Sequence, residues 1–90
     1  MKKTIITVVG KDTVGILAKV SEKCAMVNAN IVDVTQTILQ DMFVMVMMIE
    51  ISKINCDFGD LSDMLSKMGK EMGLDIHVMH EDIFNSMHRI

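Results

Sequence analysis

In Val9-Gly10-Lys11-Asp12-Thr13-Val14-Gly15-Ile16-Leu17 a β-branched apolar run stops at one glycine, and a helical pattern starts after a second. The stretch reads as a strand-to-helix turn. Such a turn aims the free N–H groups of a helix's first residues into a shallow space at the strand's carboxyl end, where an anion or the carboxylate of a zwitterion can be held. Gly10 and Gly15 can take backbone angles closed to other residues, or let a ligand approach the main chain. Asp12 and Thr13 offer side-chain oxygens for capping or for an ammonium group. A turn that merely caps a helix would carry the same residues, so both readings stand on this segment alone.

Upstream, Thr4-Ile5-Ile6-Thr7-Val8-Val9 is β-branched with apolar residues on both parities, as in a central strand covered on much of both faces. Downstream, Leu17, Val20, Cys24 and Val27 recur at three- and four-residue spacing and predict a first helix ending near Asn28, with Lys19, Glu22 and Lys23 turned outward. Ile31 to Leu39 form a second strand, with Val32, Val34 and Ile38 expected on one face. Only Gln40-Asp41 separates it from Met42 to Ile51, so these two strands should be an antiparallel hairpin. In the third strand Phe43, Met45, Met47 and Ile49 can face helices, which leaves Val44, Val46 and Met48 in need of other cover.

Phe58, Leu61, Leu65, Met68 and Met72 give the clearest helical spacing in the chain, with Asp57 at the N-cap and Gly73 at the left-handed C-terminal cap. Leu74 to His80 follow as a fourth strand. Residues 81–90 begin with acids, end with bases and place Ile83, Met87 and Ile90 on one stripe, which predicts a short helical tail. Strand, helix, strand, strand, helix, strand is the split βαβ pattern of the α+β ferredoxin-like class. Two right-handed crossovers put both helices on one face of a four-stranded antiparallel sheet and leave the other face open.

Ninety residues, half of them apolar, suit one small domain that buries roughly 60 to 65% of its unfolded surface and gains from a partner surface. The net charge of −3, with three Phe and neither Trp nor Tyr, argues against nucleic acid, which needs basic stripes and stacking rings. The apolar run after Lys2 and Lys3 is too short for a signal peptide or a membrane span, so a cytoplasmic protein without membrane contact is expected. Cys24 and Cys56 lack paired spacing and read as reduced thiols.

His77, His80, Glu81 and His88 are residue types that bind metals, but positions 77 and 80 differ in parity on a strand and point to opposite faces; no metal is expected. Neither a Ser-His-Asp or Cys-His order, nor a Walker-type phosphate loop, nor a carboxylate pair in an evident cleft is present, so no enzyme and no cofactor are expected. Met42, Met45, Met47, Met48, Met64, Met68 and Met72 fall in or beside strand and helix stripes, where core packing or a subunit interface accounts for them.

With the element order in hand, the chain resembles the ACT domain, a small regulatory fold that senses amino acids and similar metabolites. The resemblance rests on Asp12-Thr13-Val14-Gly15-Ile16-Leu17 before the first helix and on Asn30-Ile31 opening strand two, eighteen residues apart from Asp12 to Asn30. Val14 stands where many members have proline, and Gly10 where some amino-acid binders have histidine. The fold resemblance spans about residues 3–80, and the whole chain looks like a stand-alone prokaryotic ACT protein, similar to the ACT repeats of glycine-cleavage regulators. It implies an ACT domain over residues 1–80 with a tail, 81–90, packed on the domain or on a partner copy. It further implies a homodimer and a small-molecule ligand, an amino acid, held by Gly10, Lys11, Asp12, Thr13, Val14, Gly15 and Ile16 of one subunit and Asn30 of the other. A regulatory protein partner, or a ligand-free dimerisation role, fits the same resemblance; dimers joined edge to edge and face to face both remain open.

Overall fold

Alternate residues of Met42–Glu50 are buried, and this strand, β3, sets the sheet. The computed structural model describes residues 2–11 and 14–87. In chain order the elements are β1 (Lys3–Lys11), α1 (Ile16–Met26), β2 (Asn30–Leu39), β3, α2 (Phe58–Met72), β4 (Leu74–His80) and α3 (Glu81–Met87). The four strands lie in the order β2-β3-β1-β4, and every neighbouring pair is antiparallel. This is the ferredoxin-like α+β arrangement expected from the element order.

Period-two alternation divides the sheet into two faces. Thr4, Ile6 and Val8 of β1 pair across to Ile49, Met47 and Met45 of β3 and to His80, Val78 and Ile76 of β4, so these residues share the helix side. There Ile16, Val20, Cys24 and Val27 of the α1 segment and Leu61, Leu65 and Met68 of α2 close the core over Phe43, Met45, Met47 and Ile49. The α2 spacing works as read: Asp57 is the N-cap and Gly73 the left-handed C-terminal cap, at φ 73°.

Three local readings change. The inward face of α1 begins at Ile16 rather than Leu17, which is 37% exposed, because the helix opens at Ile16, directly after the Gly15 N-cap, and turns position 16 to the sheet. The helix ends at Met26, two residues short of Asn28, which takes φ 64° beyond it. In β2 a bulge between Ile31 and Asp33 takes Val32 out of the alternation. Register then puts Ile31, Val34 and Ile38 opposite Ile49, Met47 and Phe43, on the helix side, and Val32 no longer shares a face with Val34.

On the other face, Ile5 with its register partners Met48 and Met79 points away from α1 and α2. Ile5 is nonetheless only 1% exposed and stands outside the helix-side core cluster. The short helix α3 packs against β1 and β4, the strands that carry Ile5 and its partner Met79. The expected tail helix is therefore present, with Ile83 exposed; the side chain of Met87 and residue Ile90 lie outside the description. Val44, Val46 and Met48 stay half-exposed on this face.

Candidate functional site

The strand outlasts the first glycine of the turn. Gly10 lies within β1 between Phe43 and Leu74, and Lys11 still pairs with Met42. A Cβ at Gly10 would stand 2.7 Å from Leu74 Cδ2 and 3.1 Å from the Gly73 carbonyl oxygen, so this glycine serves close packing of β1 on the start of β4. Asp12 and Thr13 lie outside the described residues. Val14 is fully exposed, and Gly15 is the N-cap of α1 at φ 87°, ψ 12°. No side chain exists at Gly15 to accept from the first turn, and the first intrahelical bond runs from Lys19 N–H to the Gly15 carbonyl at 3.0 Å. The N–H groups of Ile16, Leu17 and Ala18 precede that bond and open at the helix N-terminus, where the macrodipole favours negative charge.

Asn30 sits elsewhere. It pairs with Glu50, which pairs with Lys3 at the start of β1, whereas the turn follows Lys11 at the end of β1. At roughly 3.3 Å per residue the two half-sites of one chain lie about 26 Å apart along the sheet. A single protomer thus brings Gly10, Lys11, Val14, Gly15 and Ile16 together and leaves Asn30 at the far end.

Around Asn30 the structure has a cavity of about 360 Å³ that also takes in Asn28, Val32, Glu50 and Lys53. Asn28 Nδ2 donates to the Lys53 carbonyl at 2.9 Å, and Asn55 answers by donating from Nδ2 to the Met26 carbonyl at 3.2 Å and from its backbone N–H to Val27 at 3.0 Å. These bonds clamp the α1–β2 turn to the β3–α2 connection. The Glu50 carboxylate accepts from Ser52 Oγ through one oxygen and from Ser52 N–H at 2.8 Å through the other. Those two bonds, side chain first, hold the Glu50 carboxyl below the ordinary carboxylate range, and the charge of Lys53 adds to the effect. Sequence reasoning passed over Glu50 and Lys53 as site residues. The available signal was Glu50 itself, an acid closing an otherwise apolar third strand.

The histidines separate as parity requires. His77 lies on the open face with Nε2 3.2 Å from Asp75 Oδ1, while His80 on the helix side stacks on Phe58 with ring centroids 4.3 Å apart. His88 lies outside the described residues. Among the described residues no group of three potential ligands could hold a metal ion, and no helix is long and apolar enough to cross a membrane.

The sequence profile of the ACT domain matches residues 2–79, nearly the whole chain. This chain belongs to the ACT-domain family. A UPF0237 protein of Methanococcus maripaludis is 51% identical over 90 residues, covering all of both chains, and one of Listeria innocua is 47% identical over 88 residues, 98% of this chain and 99% of the relative. Among solved structures, an ACT domain protein from Streptococcus pneumoniae superposes with a TM-score of 0.80 at 38% identity, over 97% of this chain and 98% of that one. A formyltetrahydrofolate deformylase from Pseudomonas syringae shares the fold at a TM-score of 0.81 and 22% identity, but the match spans only 28% of that chain. The same fold thus occurs alone, at this length, and within larger proteins, and ACT domains are typically regulatory and ligand-binding.

Proposed function

We propose that this ACT domain is an amino-acid-sensing regulatory module that acts as a homodimer, with each ligand held between the Gly10–Ile16 turn of one protomer and Asn30 of its partner. The observation that carries the reading is Gly15: an N-cap without a side chain leaves the first N–H groups of α1 to an outside acceptor, for which a ligand carboxylate is the natural candidate. Asp12 then takes the ligand's ammonium group, and Asn30 supplies a donor and an acceptor from the other chain.

The sheet edge supports the two-chain form. β2 is an edge strand whose Ile31, Val32, Ile38 and Leu39 are exposed, a surface that invites pairing with another strand. Antiparallel pairing of β2 with a second β2 about a two-fold axis sets Asn30 beside the partner's Leu39 end. That end carries the partner's turn, because Leu39, Met42 and Lys11 form one cross-strand row. Such symmetry would bring the two half-sites that one chain holds apart to the same end of a shared sheet. The free thiols Cys24 and Cys56 suit the reducing cytoplasm, and the dimer surface would hand the signal to a regulatory protein partner.

Thermal unfolding of the chain with each of the twenty amino acids tests the ligand, and light scattering tests the dimer. A ligand at a hundredfold excess over its Kd raises stability by about 2.7 kcal/mol. Asp12→Ala and Asn30→Ala should each weaken binding by about 1 to 3 kcal/mol, and Ile38→Lys should yield monomers. A monomer at micromolar concentration sinks the two-chain site. A dimer indifferent to every amino acid favours a ligand-free dimerisation module, for which the exposed apolar β2 edge is the supporting observation.

A further inference from the structure

The cavity at Asn30 has chemistry of its own. Glu50, half-buried, and Lys53, exposed, carry opposite charges on its wall and form no ion pair with each other. Ser52 fixes the Glu50 carboxylate through its hydroxyl and its N–H, and the Asn28 side chain holds the main chain at Lys53. A carboxylate has about four acceptor positions, so the two bonds from Ser52 leave Glu50 able to accept more. Asn30 is the register partner of Glu50, which puts its Cα roughly 4.5 to 5.5 Å away. The bulge turns Val32 out of the strand's alternation and gives the cavity an apolar wall.

We propose that this cavity is a zwitterion-selective subsite, in which Glu50 takes an ammonium group, Lys53 a carboxylate, and the Asn30 amide bonds to either beside an aliphatic portion packed on Val32. A simple anion meets the Glu50 charge there and a simple cation meets Lys53, so only a molecule bearing both charges satisfies both walls. At about 360 Å³ the cavity is near the lower end for small-molecule sites and suits a free amino acid better than a nucleotide. The inference rests on the amino-acid reading above for its ligand class and revises the charge partners: the ammonium group goes to Glu50 rather than Asp12, and the carboxylate to Lys53 rather than the α1 N-terminus, on the chain that supplies Asn30. It assigns charge selection to two residues outside the Gly10–Ile16 turn.

Calorimetric titration of the full chain with the twenty L-amino acids, followed by Glu50→Gln, Lys53→Met and Gly15→Val variants, tests it. For the tightest-binding amino acid, Glu50→Gln and Lys53→Met each raise Kd at least tenfold. The loss is crossed: Glu50→Gln narrows the gap between that amino acid and its deaminated acid, and Lys53→Met the gap to its decarboxylated amine. The melting temperature of Lys53→Met stays at the wild-type value because that side chain is exposed, and Glu50→Gln stays folded with a melting temperature close to it, since glutamine keeps an oxygen for the Ser52 N–H and can donate to Ser52 Oγ. An amino acid lost with Gly15→Val yet bound equally by the Glu50 and Lys53 variants overturns this subsite and leaves the turn reading standing. Failure of every amino acid to bind the wild-type chain overturns both.

Discussion

Gly69 of α2 lies so close to β4 that a Cβ there would stand 2.9 Å from Ile76 Cγ1 and 2.9 Å from the Leu74 carbonyl oxygen. No side chain fits between this helix and the strand beneath it, and that contact sets how α2 sits on the sheet. Gly69→Ala gains about 1 kcal/mol of helix propensity but overpacks a contact that includes backbone, at a cost of about 1 to 3 kcal/mol. The expected outcome is a lower urea midpoint; a higher one would show that α2 lifts away without cost.

Asn28 carries two burdens, a left-handed backbone at φ 64° and the Nδ2 bond to the Lys53 carbonyl. Asn28→Ala should destabilise by about 1 to 2 kcal/mol. Asn28→Gly relieves the backbone part alone, so it should melt above the alanine variant. The reverse order would assign the role of Asn28 to the hydrogen bond rather than to the turn.

Burial pushes the Cys24 thiol from its usual value near 9.0 up to about 11. The folded chain therefore keeps a proton that the unfolded chain gives up above pH 9. Stability from this group is whole below that pH and declines as pH rises from 9.0 toward about 11. Thiol alkylation at pH 8 should label the half-buried Cys56 in the native protein and reach Cys24 only on unfolding. Equal labelling rates would contradict the burial.

Ile5 is buried on the face turned away from α1 and α2, and α3 packs on its strand. Truncation after His80 should expose it and cost about 1.5 to 3 kcal/mol, the value of burying one such side chain. Urea unfolding reads the loss, and increased binding of a hydrophobic dye reads the exposed face. An unchanged midpoint would mean that the truncated sheet finds other cover, such as a second copy.

Legibility followed the range of the physics involved. The α2 stripe, its Gly73 cap and the two-residue Gln40-Asp41 hairpin are set by neighbours a few positions apart, and each stands where the spacing placed it. The bulge at Val32 was invisible because it answers to pairing with β3, which alternation within β2 does not encode. Leu17 misled for a related reason: the helix phase is set by Gly15, whose left-handed angle belongs to the turn and not to the apolar pattern.

The candidate site divides in the same way. Residues near one another in sequence, Gly10 to Ile16, declared a helix-opening turn on their own, since glycine placement and the change of hydrophobic period are local. That Gly10 is a packing glycine against Leu74, that Asn30 stands at the other end of the sheet, and that Glu50 and Lys53 share its cavity were decided only by tertiary structure. Strand register and chain reversal bring together groups far apart in sequence, and no periodicity along a single segment carries that information.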